Sequence, residues 1–181
     1  MIPENYIRVT EPLQMLKTYD HIDPEVLANA ADRGTRVHTY CEYHVKNIYT
    51  PVIDHDCAGY VKCFIEWFDK NVEHILLCED RLNCDELQLT GQIDLVVVLK
   101  GEDFSTVLDI KTPASESSTW KLQTAAYRYL VEKAGFEDVK SRKCLMLDRY
   151  AKPAKVFEYL DHENDLRLYL NTLELYRLFR M

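Results

Sequence analysis

Residues 87–127 read LQLTGQIDLVVVLKGEDFSTVLDIKTPASESSTWKLQTAAY, and the rest of the chain is organised around them. Gly91-Gln92-Ile93-Asp94 opens an apolar strand over 95–99. Gly101-Glu102-Asp103 marks a turn. A second strand, 106–110, runs out into Asp109-Ile110-Lys111. Side chains alternate along a strand, so Asp109 and Lys111 share a face. Two carboxylates and a lysine brought together make an odd core but a good metal site. Magnesium takes oxygen ligands, using one or two carboxylates plus substrate phosphates. A neighbouring lysine orients a water or offsets charge building on a phosphate. Gly91 removes a side chain where a ligand or another backbone comes close. Pro113 ends the strand, and 114–119 form a small polar loop. Ser118 or Thr119 is placed to cap a helix that runs to about Ala134 and closes at Gly135. Gln123 and Tyr127 lie on one side of it. On spacing alone the tyrosine is core and the glutamine is surface.

Upstream, 72–82 reads as the strand preceding this stretch, with Glu79 at the end of its apolar part and Asn83-Cys84-Asp85-Glu86 as the turn. A helix over 57–70 carries Val61, Phe64, Ile65 and Phe68 as an apolar stripe, with Trp67 in a packing role. Before it, Asp23-Pro24-Glu25 is a helix start, and the pattern continues to about Tyr49, where Pro51 blocks it. Thr10 caps a shorter predicted helix over 11–19, after an extended 6–10. Inside the long helix sits Arg33-Gly34-Thr35-Arg36-Val37-His38. Gly34 costs about 1 kcal/mol there relative to alanine, which a close approach would repay. A lone histidine such as His38 is usually structural or exposed. Downstream, 139–147 and 156–160 read as strands. The tail, 165–179, has helical spacing and covers the sheet.

The order Gly-x-Ile-Asp, Asp-x-Lys, Gln-x-x-x-Tyr resembles the PD-(D/E)XK nuclease superfamily, and within it the RecB-type branch. That branch includes the RecB nuclease domain, CRISPR-associated RecB-like nucleases, and phage and mitochondrial exonucleases. Arg33, Gly34, Thr35 and His38 match an upstream segment of that branch whose histidine binds metal. The resemblance implies an α/β fold with a restriction-endonuclease-like αβββαβ core. It implies a mixed central sheet flanked by helices, here with an N-terminal helical extension, and residues 1–181 as a single domain. It implies one or two Mg2+ or Mn2+ ions held by His38, Asp94, Asp109 and the carbonyl of Ile110, with Glu79 as a further candidate. Asp94, Asp109 and Lys111 would be catalytic. Gln123 would orient Lys111 or the DNA backbone, and Tyr127 would contact a phosphate. Arg33 and Thr112 would bind nucleic acid.

Cations cluster at Lys140, Arg142, Lys143, Arg149, Lys152 and Lys155. Such a run is usually solvated surface. In so acidic a chain it also reads as a strand-binding groove, with Tyr150 to stack a base.

With 181 residues, 47% of them hydrophobic, the chain is long enough to bury a core. It shows no apolar run near the roughly 20 residues of a membrane span and no signal peptide. A cytoplasmic protein, associated with DNA and not with membranes, is expected. Its net charge of −8 gives no broad attraction to nucleic acid. The six cysteines form no Cys-x-x-Cys pair, so buried thiols are expected, without zinc. Only Cys144 follows the motif stretch, which speaks against the iron-sulfur cluster of some relatives.

The function the resemblance implies is metal-dependent DNA exonuclease activity with 5′-phosphate products, in replication, recombination or repair. A phage-encoded enzyme would fit. The expected partner is single-stranded or end-containing DNA, and a homo-oligomer is compatible. The alternatives are a non-catalytic DNA-binding protein, a nuclease subunit needing a partner, and an endonuclease.

Overall fold

The computed structural model describes residues 5–16, 22–50 and 52–180. The first strand, β1 (Ile7–Arg8), leads into α1 (Thr10–Gln14). Thr10 lies inside that helix, with Val9 at the capping position; the expected continuation through 17–19 falls outside the described residues, as does Pro51. The long helix α2 (Pro24–Val45) starts as expected, with the Asp23 carboxylate accepting the Glu25 N–H at 2.7 Å. It ends four residues earlier than the pattern predicts. Asn47, at φ 56°, turns the chain, and Ile48 N–H returns to the Tyr43 carbonyl at 2.9 Å.

Then come α3 (Ala58–Asn71), β2 (Val72–Cys84), β3 (Leu89–Leu99), β4 (Ser105–Lys111), α4 (Trp120–Lys133) and β5 (Val139–Met146). This is the αβββαβ order. The chain closes with β6 (Lys155–Glu158) and α5 (His162–Arg180). β2, β3 and β4 form an antiparallel meander, while β5 runs parallel to β4 and needs the α4 crossover. The sheet is therefore mixed, and helices flank it. α2 and α3 pack on one face through Val37, Cys41, Phe64 and Phe68 against Leu95, Val97, Leu108 and Leu145. α4 and α5 pack on the other through Leu130, Val131, Tyr169 and Leu173 against Ile93, Val96 and Val107. All six cysteines are free and buried. Among the described residues, no helix is long and apolar enough to cross a membrane.

Two details position the site. First, β3 and β4 pair from Val98↔Ser105 to Leu95↔Leu108 and then part. One more step of that register would set Asp94 against Asp109. Instead, Asp94 Oδ2 accepts the Ile110 N–H at 2.7 Å, a side chain replacing the ladder bond. Beyond the parting, β1 takes over that edge of β3 at Leu89 and Thr90. Second, Glu79 sits in mid-strand at φ 57°, a left-handed conformation rare for a residue with a side chain. Asp80 supports it by accepting the Cys78 N–H at 2.9 Å.

Candidate active site

The opening between β3 and β4 is the floor of a cleft of about 480 Å3. β4 alternates, sending Leu108 and Ile110 into the α2–α3 side and leaving Asp109 and Lys111 to the α4 side. There Lys111 Nζ lies 2.5 Å from Asp109 Oδ2. Gln123, from α4, accepts from Lys111 Nζ at 3.0 Å and donates to Asp109 Oδ1 at 3.3 Å and to the Tyr127 hydroxyl at 3.0 Å. One amide thus fixes the acid, the lysine and the tyrosine together. Gln123 and Tyr127 are both buried, against the bland reading of the glutamine as surface.

Gly91 makes this possible. A Cβ there would stand 2.8 Å from Leu130 Cδ1 and 3.0 Å from Tyr127 Cε1. The close approach expected at Gly91 is therefore made by α4 side chains. At Gly34, a Cβ would meet only Thr112 Oγ1, at an ordinary 3.5 Å.

From the other side of the opening, α2 delivers His38. Its Nδ1 is 3.4 Å from both Glu79 Oε1 and Asp94 Oδ1. The ligand atoms of His38, Glu79 and Asp94 all lie within 4.8 Å of one another. Gln92 donates to Glu79 Oε2 at 2.7 Å and orients it. No role was assigned to Gln92 from sequence. The signal was its place two residues before Asp94, on the same side of the strand.

The electrostatics are set by four ionisable groups held close together. Burial acts to lower the His38 pKa, but Asp94 and Glu79 outweigh it and hold the imidazole well above its ordinary value. Burial pushes Asp94 up, yet His38, Lys111 and the Ile110 N–H bring it below the usual carboxylate range. Asp109 stays raised, because burial and the Asp94 charge exceed the help from Lys111. Lys111 is itself raised: burial lowers it, and Asp109, Cys144 and Asp94 more than compensate. It is held as a cation here, suited to meeting negative charge rather than to taking a proton. One imidazole and up to three carboxylates form a donor set that fits a divalent ion such as Mg2+ or Mn2+.

Ile110 and Thr112 line the cleft. Arg33 does not; its guanidinium lies 5.8 Å from the Tyr60 ring centroid, in a neighbouring recess. The proposed cationic groove over 140–155 needs correction. Arg142 is 1% exposed, donates to the Lys121 carbonyl at 2.6 Å and pairs with buried Asp165. Lys143 is buried and paired with Glu102 at 3.1 Å. Both belong to β5, an interior strand between β4 and β6, and both take structural partners. Lys140, at the start of β5, lies over Phe104, near the end of the strand remote from Asp109. Tyr150, Arg149, Lys152 and Lys155 are exposed at the cleft end.

Asp94 offers a clean separation of structure from chemistry. Asp94→Asn keeps an oxygen for the Ile110 N–H and is expected to melt near the parent while losing Mn2+ binding and cleavage. Asp94→Ala orphans a buried donor and is expected to cost a further ~1–3 kcal/mol. Urea melts of the two variants, paired with calorimetric Mn2+ titration, check this. Equal stability of the two would refute the backbone role.

Comparison with known proteins gives one family. A family model described as PD-(D/E)XK nuclease superfamily matches residues 54–175. That span includes Glu79, Asp94, Asp109, Lys111, Gln123 and Tyr127 but stops short of α2 and His38. No curated protein matches the chain. Among solved structures, one titled "Crystal structure of SSO0001" is similar over 97% of this chain and 78% of its own, at 18% identity and a TM-score of 0.43. A likeness that loose carries no argument.

Proposed function

This chain belongs to the PD-(D/E)XK nuclease superfamily, and on that premise we propose that it is a divalent-metal-dependent DNA exonuclease of the RecB type. The observation that carries the reading is the meeting of two half-sites across the β3–β4 opening. His38, Glu79 and Asp94 form one cluster, and Asp109, Lys111 and Gln123 form the other.

His38, Glu79, Asp94 and Asp109, with the Ile110 carbonyl, are the residues that would hold one or two Mg2+ or Mn2+ ions. When bound, the ion supplies Lewis-acid polarisation of the phosphate and lowers the pKa of the attacking water. Lys111, kept charged by Asp109, places its ammonium against the negative charge that develops on the phosphoryl oxygens. Gln123 holds that ammonium at a fixed angle, and Tyr127 buttresses Gln123. Attack by water and departure of the 3′-oxygen leave a 5′-phosphate. DNA trimming in replication, recombination or repair is the biological setting this reading supports.

The test is digestion of end-labelled single- and double-stranded DNA, beside a closed circle of the same sequence, with Mg2+ or Mn2+. Stepwise loss from labelled ends with the circle intact is the expected result. Cutting of the circle at a comparable rate would replace the exonuclease reading with an endonuclease one. No cleavage under either metal would leave a binding protein.

A further inference from the structure

The cleft is poorly equipped to hold a polyanion by itself. Glu42, Glu79, Asp94 and Asp109 line it against Lys111 and His38. Beyond what a bound divalent ion would contribute, substrate affinity must come from elsewhere, in a chain whose net charge is −8. Two further recesses supply what the cleft lacks. The first, about 450 Å3, begins at Thr112 and Pro113, which it shares with the cleft, and runs under the loop that follows β5. The second, about 490 Å3, shares Tyr60, Arg149 and Tyr150 with the first and ends between α2 and the start of α3. These shared residues place the three depressions side by side in a row.

Their charge is opposite to that of the whole chain. Arg33, Lys62, Arg149, Lys152 and Lys155 line the two recesses, against only Asp56 and Asp148. Both acids are engaged. Asp56 pairs with Arg36 at 2.9 Å, and Asp148 accepts the Tyr150 and Lys152 N–H groups at 2.7 and 3.3 Å. Arg33 Nε is buried without an acceptor. Tyr150 is 69% exposed, with the Arg149 guanidinium 5.0 Å from its ring centroid. The loop presenting it is tied by Asp148, which accepts the Tyr150 and Lys152 N–H groups on its carboxylate and the Ala151 N–H on its carbonyl, and the Arg149 carbonyl packs directly on Gly59. A fixed loop binds without first being ordered.

We infer that these recesses form one channel for a single polynucleotide strand leaving the cleft, with Lys62, Arg149 and Arg33 on its phosphates and Tyr150 stacked on a base. The inference rests on the nuclease reading for what happens at the cleft, but the binding it describes needs no metal. Exposed tyrosine with interleaved cations is the chemistry of single-strand recognition.

Fluorescence anisotropy with labelled dT20, rU20 and a 20-bp duplex, in EDTA, tests it on the full chain. Tyr150→Ala is expected to weaken dT20 binding about 5- to 50-fold. Lys62→Ala and Arg149→Ala should each reduce the slope of log K against log salt by about 0.7. Lys100→Ala, in the β3–β4 turn away from the channel, should match the parent. Thermal melts confirm that each variant is folded. Parental dT20 affinity and slope in all three channel variants would overturn the channel while leaving nuclease activity of the parent untouched. Losses confined to the duplex would overturn the single-strand assignment. Loss in the channel variants, with a parent that cleaves nothing, would retain the channel and remove the nuclease reading. Comparison of dT20 with rU20 identifies the sugar.

Discussion

Lys111→Ala is expected to reduce DNA cleavage by about two to three orders of magnitude while leaving Mn2+ binding intact or tighter. The two halves of this expectation have one cause. Lys111 Nζ stands 2.5 Å from Asp109 Oδ2 and would compete with a cation for that oxygen. Removing it frees Asp109 as a ligand. It also deletes the ammonium that Gln123 aims into the cleft, and loss of one such preorganised donor costs roughly 10²–10³ in rate. Calorimetric titration with Mn2+ and a gel assay of end-labelled DNA separate the effects. Undiminished cleavage would remove Lys111 from the chemistry. Lost metal binding would instead make its role structural.

Gly59→Ala is the second large effect, on stability. A Cβ on Gly59 would lie 1.8 Å from the Arg149 carbonyl oxygen and 2.4 Å from its carbon. Both atoms are backbone, so no rotamer change relieves the clash. Either α3 or the loop after β5 must move. Overpacking of this kind costs about 3 kcal/mol, roughly a 6–12 °C fall in Tm for a chain of this size. The Asp148 N–H, which donates to Cys63 Sγ at 3.4 Å, would be displaced with the loop. Thiol labelling should therefore find Cys63 more reactive in the variant. A parental Tm with Cys63 still protected would mean that the two segments do not press together.

Much of the fold was legible because the local signals agree. The apolar runs of β3 and β4 bounded by turn residues, the Pro24 start of α2 and the Gly135 stop of α4 all point one way. The shared face of Asp109 and Lys111 followed from alternation alone. Other features depend on tertiary placement. Arg142 and Lys143 read as surface because cations usually are, and nothing local announces that β5 is covered on both edges and both faces. The cap on α4 was assigned to a side chain, yet Thr119 makes no capping bond and pairs with Ser117. Gly59 gave no signal, since its partner lies some ninety positions downstream. Gln92 was within the quoted motif but needed Glu79 beside it to acquire a purpose.

Glu79 carries a consequence for anyone improving this protein. Its backbone geometry would suit glycine, and relieving an L-residue of a left-handed conformation is worth about 1 kcal/mol. A directed-evolution screen that scored heat tolerance alone would therefore be drawn to position 79 and reward the carboxylate's disappearance. The most stable descendants would be those without the Glu79 carboxylate, robust but, on the proposed reading, short of one metal ligand.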